Sequence, residues 1–172
     1  MSNPNLRNSL VKLGVSLLGS WEVDWLYNLG SYVDYKNPDN TLSVKSKVDH
    51  LAGGLSIVYL FAIFESYFDK DHWQTYIEPD DLKLLRAYRH VRHCVAHGHD
   101  GKRVQPLSSS PTALSRIESD AFDEVIQSDL FSPKNIITLD ANDKLTINPA
   151  IGIHLRTFMG RIAQYSLAKV AS

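Results

Sequence analysis

The 172-residue chain has one cysteine, Cys94. An internal disulfide is therefore excluded, and the chain suits a reducing compartment. It has no charge excess: 18 Lys and Arg against 19 Asp and Glu leave a formal net charge of −1. No global field would draw in nucleic acid or an anionic membrane, so any such binding has to be local. Long apolar runs are missing too. The longest, LSIVYLFAIF at 55–64, contains a serine and ends at Glu65, which is too short to span a bilayer. The opening MSNPNLRNSLVKLG has no apolar signal-peptide core. There is no repeat, no low-complexity tail, and no second Cys or His group at metal-ligand spacing. What remains is an ordinary composition, 44% hydrophobic and 22% charged, at a length that suits one domain over 1–172 with a sizeable core. A soluble, cytoplasmic protein with no membrane partner is expected.

Helical spacing dominates what is present. Leu6, Leu10, Leu13 and Leu17 recur on one face. Val23, Trp25, Leu26, Leu29 and Tyr32 follow, with Gly19-Ser20 as a break between two helices. The cluster KNPDNT (36–41) predicts a turn. A strong helix follows over about 43–69, apolar nearly all round as a buried central helix is, and its Gly53-Gly54 pair admits a close neighbour. IEPDD (77–81) reads as a helix start. The helix it opens runs from about 80 to 97, with Leu84, Tyr88, Val91 and Val95 as its core stripe and Gly98 as its stop. Residues 99–116 read as a loop and 118–129 as a short helix. NIITLDANDKLTINP reads as two strands around an Asp-Ala-Asn-Asp turn, and 150–170 as a last amphipathic helix with Ile153, Leu155, Phe158, Ile162, Tyr165 and Leu167 inward. The fold expected is a mainly helical bundle with a small β-hairpin before the C-terminal helix. Trp21, Trp25 and Tyr32 are expected to pack in the core or an interface rather than to stack on bases. The aromatics of FESYFDKDHW suit either a partner surface or the closed end of the bundle.

The densest chemistry lies in LLRAYRHVRHCVAHGHDGKR (84–103). Three readings compete. A metal site has His93 and His97 four apart, and His90 and Cys94 likewise; the neighbouring Arg86, Arg89 and Arg92 oppose a dication. A nucleic-acid cleft uses the charges better. From Lys83 to Arg103 stand six cations and one acid, Asp100, and such a strip can hold a phosphate backbone although the whole chain is neutral. Histidine beside arginine also suits phosphodiester cleavage by an internal 2′-hydroxyl. The imidazole moves a proton and the guanidinium neutralises charge on phosphoryl oxygens. The third reading is a solvated basic helix end, which the helix dipole favours. On the second reading Arg86, Arg89, Lys102 and Arg103 position phosphates without reading sequence; surface solvation is the alternative for each. His90 and His99 read as bystanders and Cys94 as a small packing group.

The string Arg92-His93-Cys94-Val95-Ala96-His97, closed by Gly98, resembles the R-x(4–6)-H signature of the HEPN superfamily, in which a polar residue commonly follows the arginine. The likeness extends to the preceding apolar helix ending in Glu65 and covers roughly residues 45–100. It implies a HEPN-like bundle of four to six helices. It also implies a metal-independent, cofactor-free endoribonuclease that leaves a 2′,3′-cyclic phosphate, typically a toxin or antiviral effector; other members are non-catalytic nucleotide- or protein-binding modules. Carried over, Arg92 and His97 are the catalytic pair and His93 the polar helper. His97 is the base on the ribose 2′-hydroxyl, and Arg92 stabilises the phosphorane-like transition state. Glu65 either orients an arginine or simply faces solvent. Arg92 and His97 are five positions apart, about 140° around an ideal helix, so they share a face poorly. The family's habit of joining two protomers at one composite cleft would supply the missing geometry. A homodimer, an RNA substrate and an antitoxin or other regulatory protein are the partners implied.

Overall fold

A computed structural model of the chain describes residues 3–36, 42–98, 101–128 and 136–171. Residues 37–41 of the predicted turn at 36–41, and His99 and Asp100, lie outside them, while Lys36 ends the second helix. The architecture is mainly helical. The elements are α1 (Pro4–Leu18), α2 (Glu22–Lys36), α3 (Leu42–Tyr67), α4 (Lys70–Tyr76), α5 (Pro79–His97), α6 (Leu114–Gln127), β1 (Ile137–Leu139), β2 (Leu145–Ile147) and α7 (Ile151–Ala171).

Local chemistry explains most of the boundaries. The Asn3 side chain caps α1 by accepting from the Leu6 N–H at 3.1 Å, with Pro4 in the first turn. Leu6, Leu10, Leu13 and Leu17 are its buried face. Pro79 opens α5, and Asp80 and Asp81 sit against the positive end of its dipole. Gly98 ends it, its N–H returning to the Cys94 carbonyl at 2.7 Å. The two strands pair antiparallel, Ile137 opposite Ile147 and Leu139 opposite Leu145. The Asp140 carboxylate holds their turn by accepting from the N–H groups of Asn142 and Lys144, and Asp143 takes a left-handed conformation at φ 59°.

α3 is the central element, against α1, α2, α5, α7 and β2. Its segment Val44–Tyr67 is long and apolar enough to cross a membrane. In the fold it is the core helix, with Ala52, Ile57, Leu60, Phe61 and Phe64 wholly buried. Gly53 and Gly54 do what their pairing suggests. A Cβ at Gly53 would lie 2.7 Å from the Ile147 side chain, and one at Gly54 would lie 2.9 Å from Val95. The hairpin and α5 therefore seat directly on the α3 backbone.

The fold decides one open expectation and changes others. The FESYFDKDHW aromatics close the bundle: Phe64, Phe68 and Trp73 are buried, and the Trp73 indole donates to the Phe68 carbonyl at 2.9 Å. The segment following Phe68 forms α4, a helix of two turns that a loop-like run of Asp and Lys concealed. Trp21, Trp25 and Tyr32 do not pack in the core of the chain: they are exposed, at 66%, 57% and 59%, because α2 turns Val23 and Leu26 inward instead. Tyr165 likewise faces out of α7 at 57% exposure.

Candidate active site

α5 carries the site, and α3 and α6 complete it. Arg89, Arg92, His93, Ala96 and His97 line an open cavity of about 240 Å3, together with Glu118 from α6. Arg92 and His97 thus meet one cavity despite their angular separation. His93 and Ala96 stand between the two on the helix surface and line the cavity with them. The rings of His93 and His97 are in contact, centroids 4.8 Å apart.

A ladder of alternating charge holds the arginines. One oxygen of Glu65 accepts from Arg89 Nε at 2.7 Å and the other from Arg92 Nη1 at 2.6 Å. Glu118 takes Arg89 from the far side through Nη1. The Arg92 guanidinium also lies over the Phe61 ring, 5.7 Å from its centroid. Glu65 is therefore an orienting residue for both arginines and not a solvent-facing carboxylate. Burial alone would raise its pKa, but the hydrogen bonds and charges of Arg89 and Arg92 outweigh that and hold it below the ordinary carboxylate range. Glu118 goes the other way: burial dominates and pushes its pKa up in spite of Arg89. His93 is pushed down, first by burial and then by the charges of His97, Arg89 and Arg92, so it stands neutral near pH 7 and can accept a proton.

The basic strip looks different once folded. Lys83 pairs with Glu124, Arg89 with Glu65 and Glu118, Arg92 with Glu65, and Arg103 with Asp123. Four acids from α3 and α6 thus cancel most of the positive excess counted along residues 83–103. Arg86 is half-buried one turn before Arg89 and makes no ion pair among the described residues. Lys102 is exposed and bridges antiparallel to Lys144 of the hairpin.

Arg103 is a correction. Its side chain is 11% exposed and turned inward. It donates to both oxygens of Asp123, to Ser119 Oγ at 2.6 Å and to His90 Nε2 at 3.1 Å, and it lies over Phe122. It ties the loop after α5 to α6 and is not presented to a phosphate backbone. His90 is buried as well. It is 3% exposed, its pKa pushed down to about 4 chiefly by burial and then by Arg103. Cys94 is buried, as a packing group is, with His90 Nε2 3.5 Å from its sulfur.

Buried His90 makes stability depend on pH. Its folded pKa lies below the ordinary 6.5, so between those values the unfolded chain binds more protons and stability falls as the pH falls. Over the window from 6.5 to about 4 this costs up to about 3 kcal/mol. His90→Gln keeps an acceptor for Arg103 without a titrating group. Melting temperatures measured from pH 7 to 4 should fall less steeply for that variant than for the native chain; equal slopes would mean His90 does not titrate in this way.

Glu118 was not singled out in the sequence, although a signal exists. It shares a face of α6 with Phe122 and Val125, at spacings of four and seven, and an acid on an apolar helix face points to a buried partner cation. Among the described residues no three His, Cys, Asp or Glu side chains group so that they could hold a metal ion. Searches for known relatives found no family model, no curated protein and no solved structure that matches the chain.

Proposed function

We propose that the protein is a metal-independent endoribonuclease of the HEPN kind, working as a homodimer on RNA. One observation carries the reading: Arg92, His93 and His97 open onto one cavity, with Arg92 fixed by Glu65 and by the face of Phe61. His97, at the exposed tip of α5, takes the proton from the ribose 2′-hydroxyl. The 2′-oxygen attacks the adjacent phosphorus, and the 5′-oxygen leaves with the proton that His97 had taken, giving a 2′,3′-cyclic phosphate. Arg92 has donors beyond the one held by Glu65, and these meet the charge that builds on the phosphoryl oxygens. Neutral His93 orients His97. Arg86 and Lys102 hold flanking phosphates. On this reading the protein is a cytoplasmic defence or toxin–antitoxin effector, held in check from outside by an antitoxin or other regulatory protein.

A second copy has a surface to meet. Leu51 and Leu55 of α3 are exposed at 59% and 46%. With Val58, Val95 and Ala96 they border an apolar groove of about 370 Å3. Ala96 lines both this groove and the His93–His97 cavity, so a partner seated there across a two-fold axis would bring its own cavity alongside. Leu55→Asp is expected to shift the sedimentation coefficient from dimer to monomer and to lower RNA cleavage at least tenfold. A native chain that sediments as a monomer and still cleaves would remove the dimer from the reading.

A second reading has one observation in its favour. Both cavity arginines already have carboxylate partners, which suits a non-catalytic module that binds a nucleotide or a protein. Incubation with mixed RNAs in EDTA separates the two readings. Cleavage with cyclic-phosphate ends supports the enzyme; tight binding with no cleavage across many RNAs supports the module.

A further inference from the structure

We infer that the cavity adjoining the His93–His97 cleft is a nucleobase subsite, and that Gln105 and Ser115 on its wall determine which base it accepts. The inference deepens the ribonuclease reading and rests on it for the phosphate that the neighbouring cavity would hold.

The two cavities are contiguous, with Arg89, His93 and Glu118 as a common wall. Their chemistry differs. Apart from Ala96, the first is lined by charged and imidazole groups. The second, about 210 Å3, is walled by Pro106, Leu107 and Leu114 with His90, Gln105 and Ser115 among them. Singly, each falls below the roughly 300–1,000 Å3 of a drug-sized ligand site; together they reach the low end of it. A charged lobe joined to an apolar lobe with a few polar groups has the division of a nucleotide: phosphate on one side, base on the other.

Three further features fit a base. Leu107 and Leu114 are exposed at 83% and 41%, so apolar side chains stand in water at the mouth, where the face of a base would cover them. The Gln105 amide and the Ser115 hydroxyl make no hydrogen bond with the described residues. Between them they offer two donor–acceptor groups for a base edge. The third group is fixed: His90 Nε2 accepts from Arg103 Nε, so the ring proton resides on Nδ1. The walls are also tied together. Arg103, two residues before Gln105, is bonded to Ser119 and Asp123 of α6, the helix that Leu114 and Ser115 open. The pocket is therefore held in shape before a ligand arrives.

Two measurements test the inference. In the first, the affinities of the four nucleoside 5′-monophosphates and of ribose 5-phosphate are compared on the full chain. At least one base should add tenfold or more over ribose 5-phosphate, and that increment should vanish in Leu107→Asp and shrink in Gln105→Ala. Equal affinity for all five probes, or an increment that survives Leu107→Asp, overturns the subsite. In the second, the cut positions in a random-sequence RNA are mapped. The native chain should favour one base beside the cut, and Gln105→Ala should flatten that preference at least fivefold. Cleavage without base preference, or an unchanged preference in the variant, overturns the subsite and leaves the ribonuclease reading in place. No cleavage together with a base-dependent increment in binding leaves the subsite and overturns the ribonuclease.

Discussion

His97→Ala is expected to lower RNA cleavage in EDTA by about 10²–10⁴-fold, the usual contribution of a positioned general acid–base. His97 sits at the exposed tip of α5, its ring against His93. Losing it there should change stability by no more than about 0.5 kcal/mol, a shift of about 2 °C in melting temperature for a chain of this size. Activity and stability should therefore separate. Arg92→Lys is the companion variant. It keeps the positive charge but loses the planar fork that holds Glu65 and, on the ribonuclease reading, would meet a phosphoryl oxygen, so it should lose most of the activity while His93 and His97 stay intact. Fluorogenic RNA with catalytic rates, alongside thermal melts, reads both. A His97→Ala protein that cleaves within threefold of the native rate would end the catalytic assignment of this residue.

Arg89→Ala carries the largest expected stability effect. Arg89 stands between Glu65 and Glu118, and the side chains of all three are at most 20% exposed. Removing the guanidinium leaves Glu118 without its ion-pair partner and Glu65 with Arg92 alone, both with little solvent. Truncating one partner of a buried ion pair costs about 3–5 kcal/mol; partial exposure puts this site near the lower figure. That corresponds to a drop of roughly 10 °C in melting temperature. Glu118→Gln in the same chain should recover part of the loss, since it removes the charge left without a partner. The pH dependence follows from the same geometry. Glu65 is held low by Arg89 and Arg92, so its stabilising contribution is present above its unfolded pKa and is lost as the pH falls through the folded one. Glu118 is already raised, so it binds protons more readily folded than unfolded and favours the fold on acidification. Without Arg89 both carboxylates move up, and the deficit of the variant should narrow as the pH is lowered toward 4. Denaturation curves at pH 7 and pH 4.5 check this; a deficit that is constant or grows in acid would mean the carboxylates do not depend on Arg89 as described.

The two predictions rest on parts of the molecule that were unequally legible beforehand. Arg92, His93 and His97 could be read off the chain because their spacing, the helix that carries them and its Gly98 stop are all local. Glu118 could be read only as an acid on an apolar face, because its partner lies on a helix that ends seventeen positions before α6 begins. Arg103 misleads for the same reason. Counted along the chain it adds to a basic strip, while in the fold Asp123, Ser119 and the Phe122 ring draw it inward. Trp21 and Trp25 depart from a core position for a different reason. Their spacing is right for a helix face, but periodicity says that a face exists and not which neighbour covers it.

By itself the sequence determined most of the helices, the stop of α5, the Asp-turn of the hairpin and the apolar face of α1. Those follow from backbone geometry and from caps within a few residues, and no partner element is needed to express them. Only the tertiary structure decided the electrostatics of the site: which arginines are neutralised, which histidine is buried, and that a charged cavity and an apolar one share a wall. Charges and cavities are properties of surfaces brought together from distant positions, and their strength depends on burial, which no local pattern encodes.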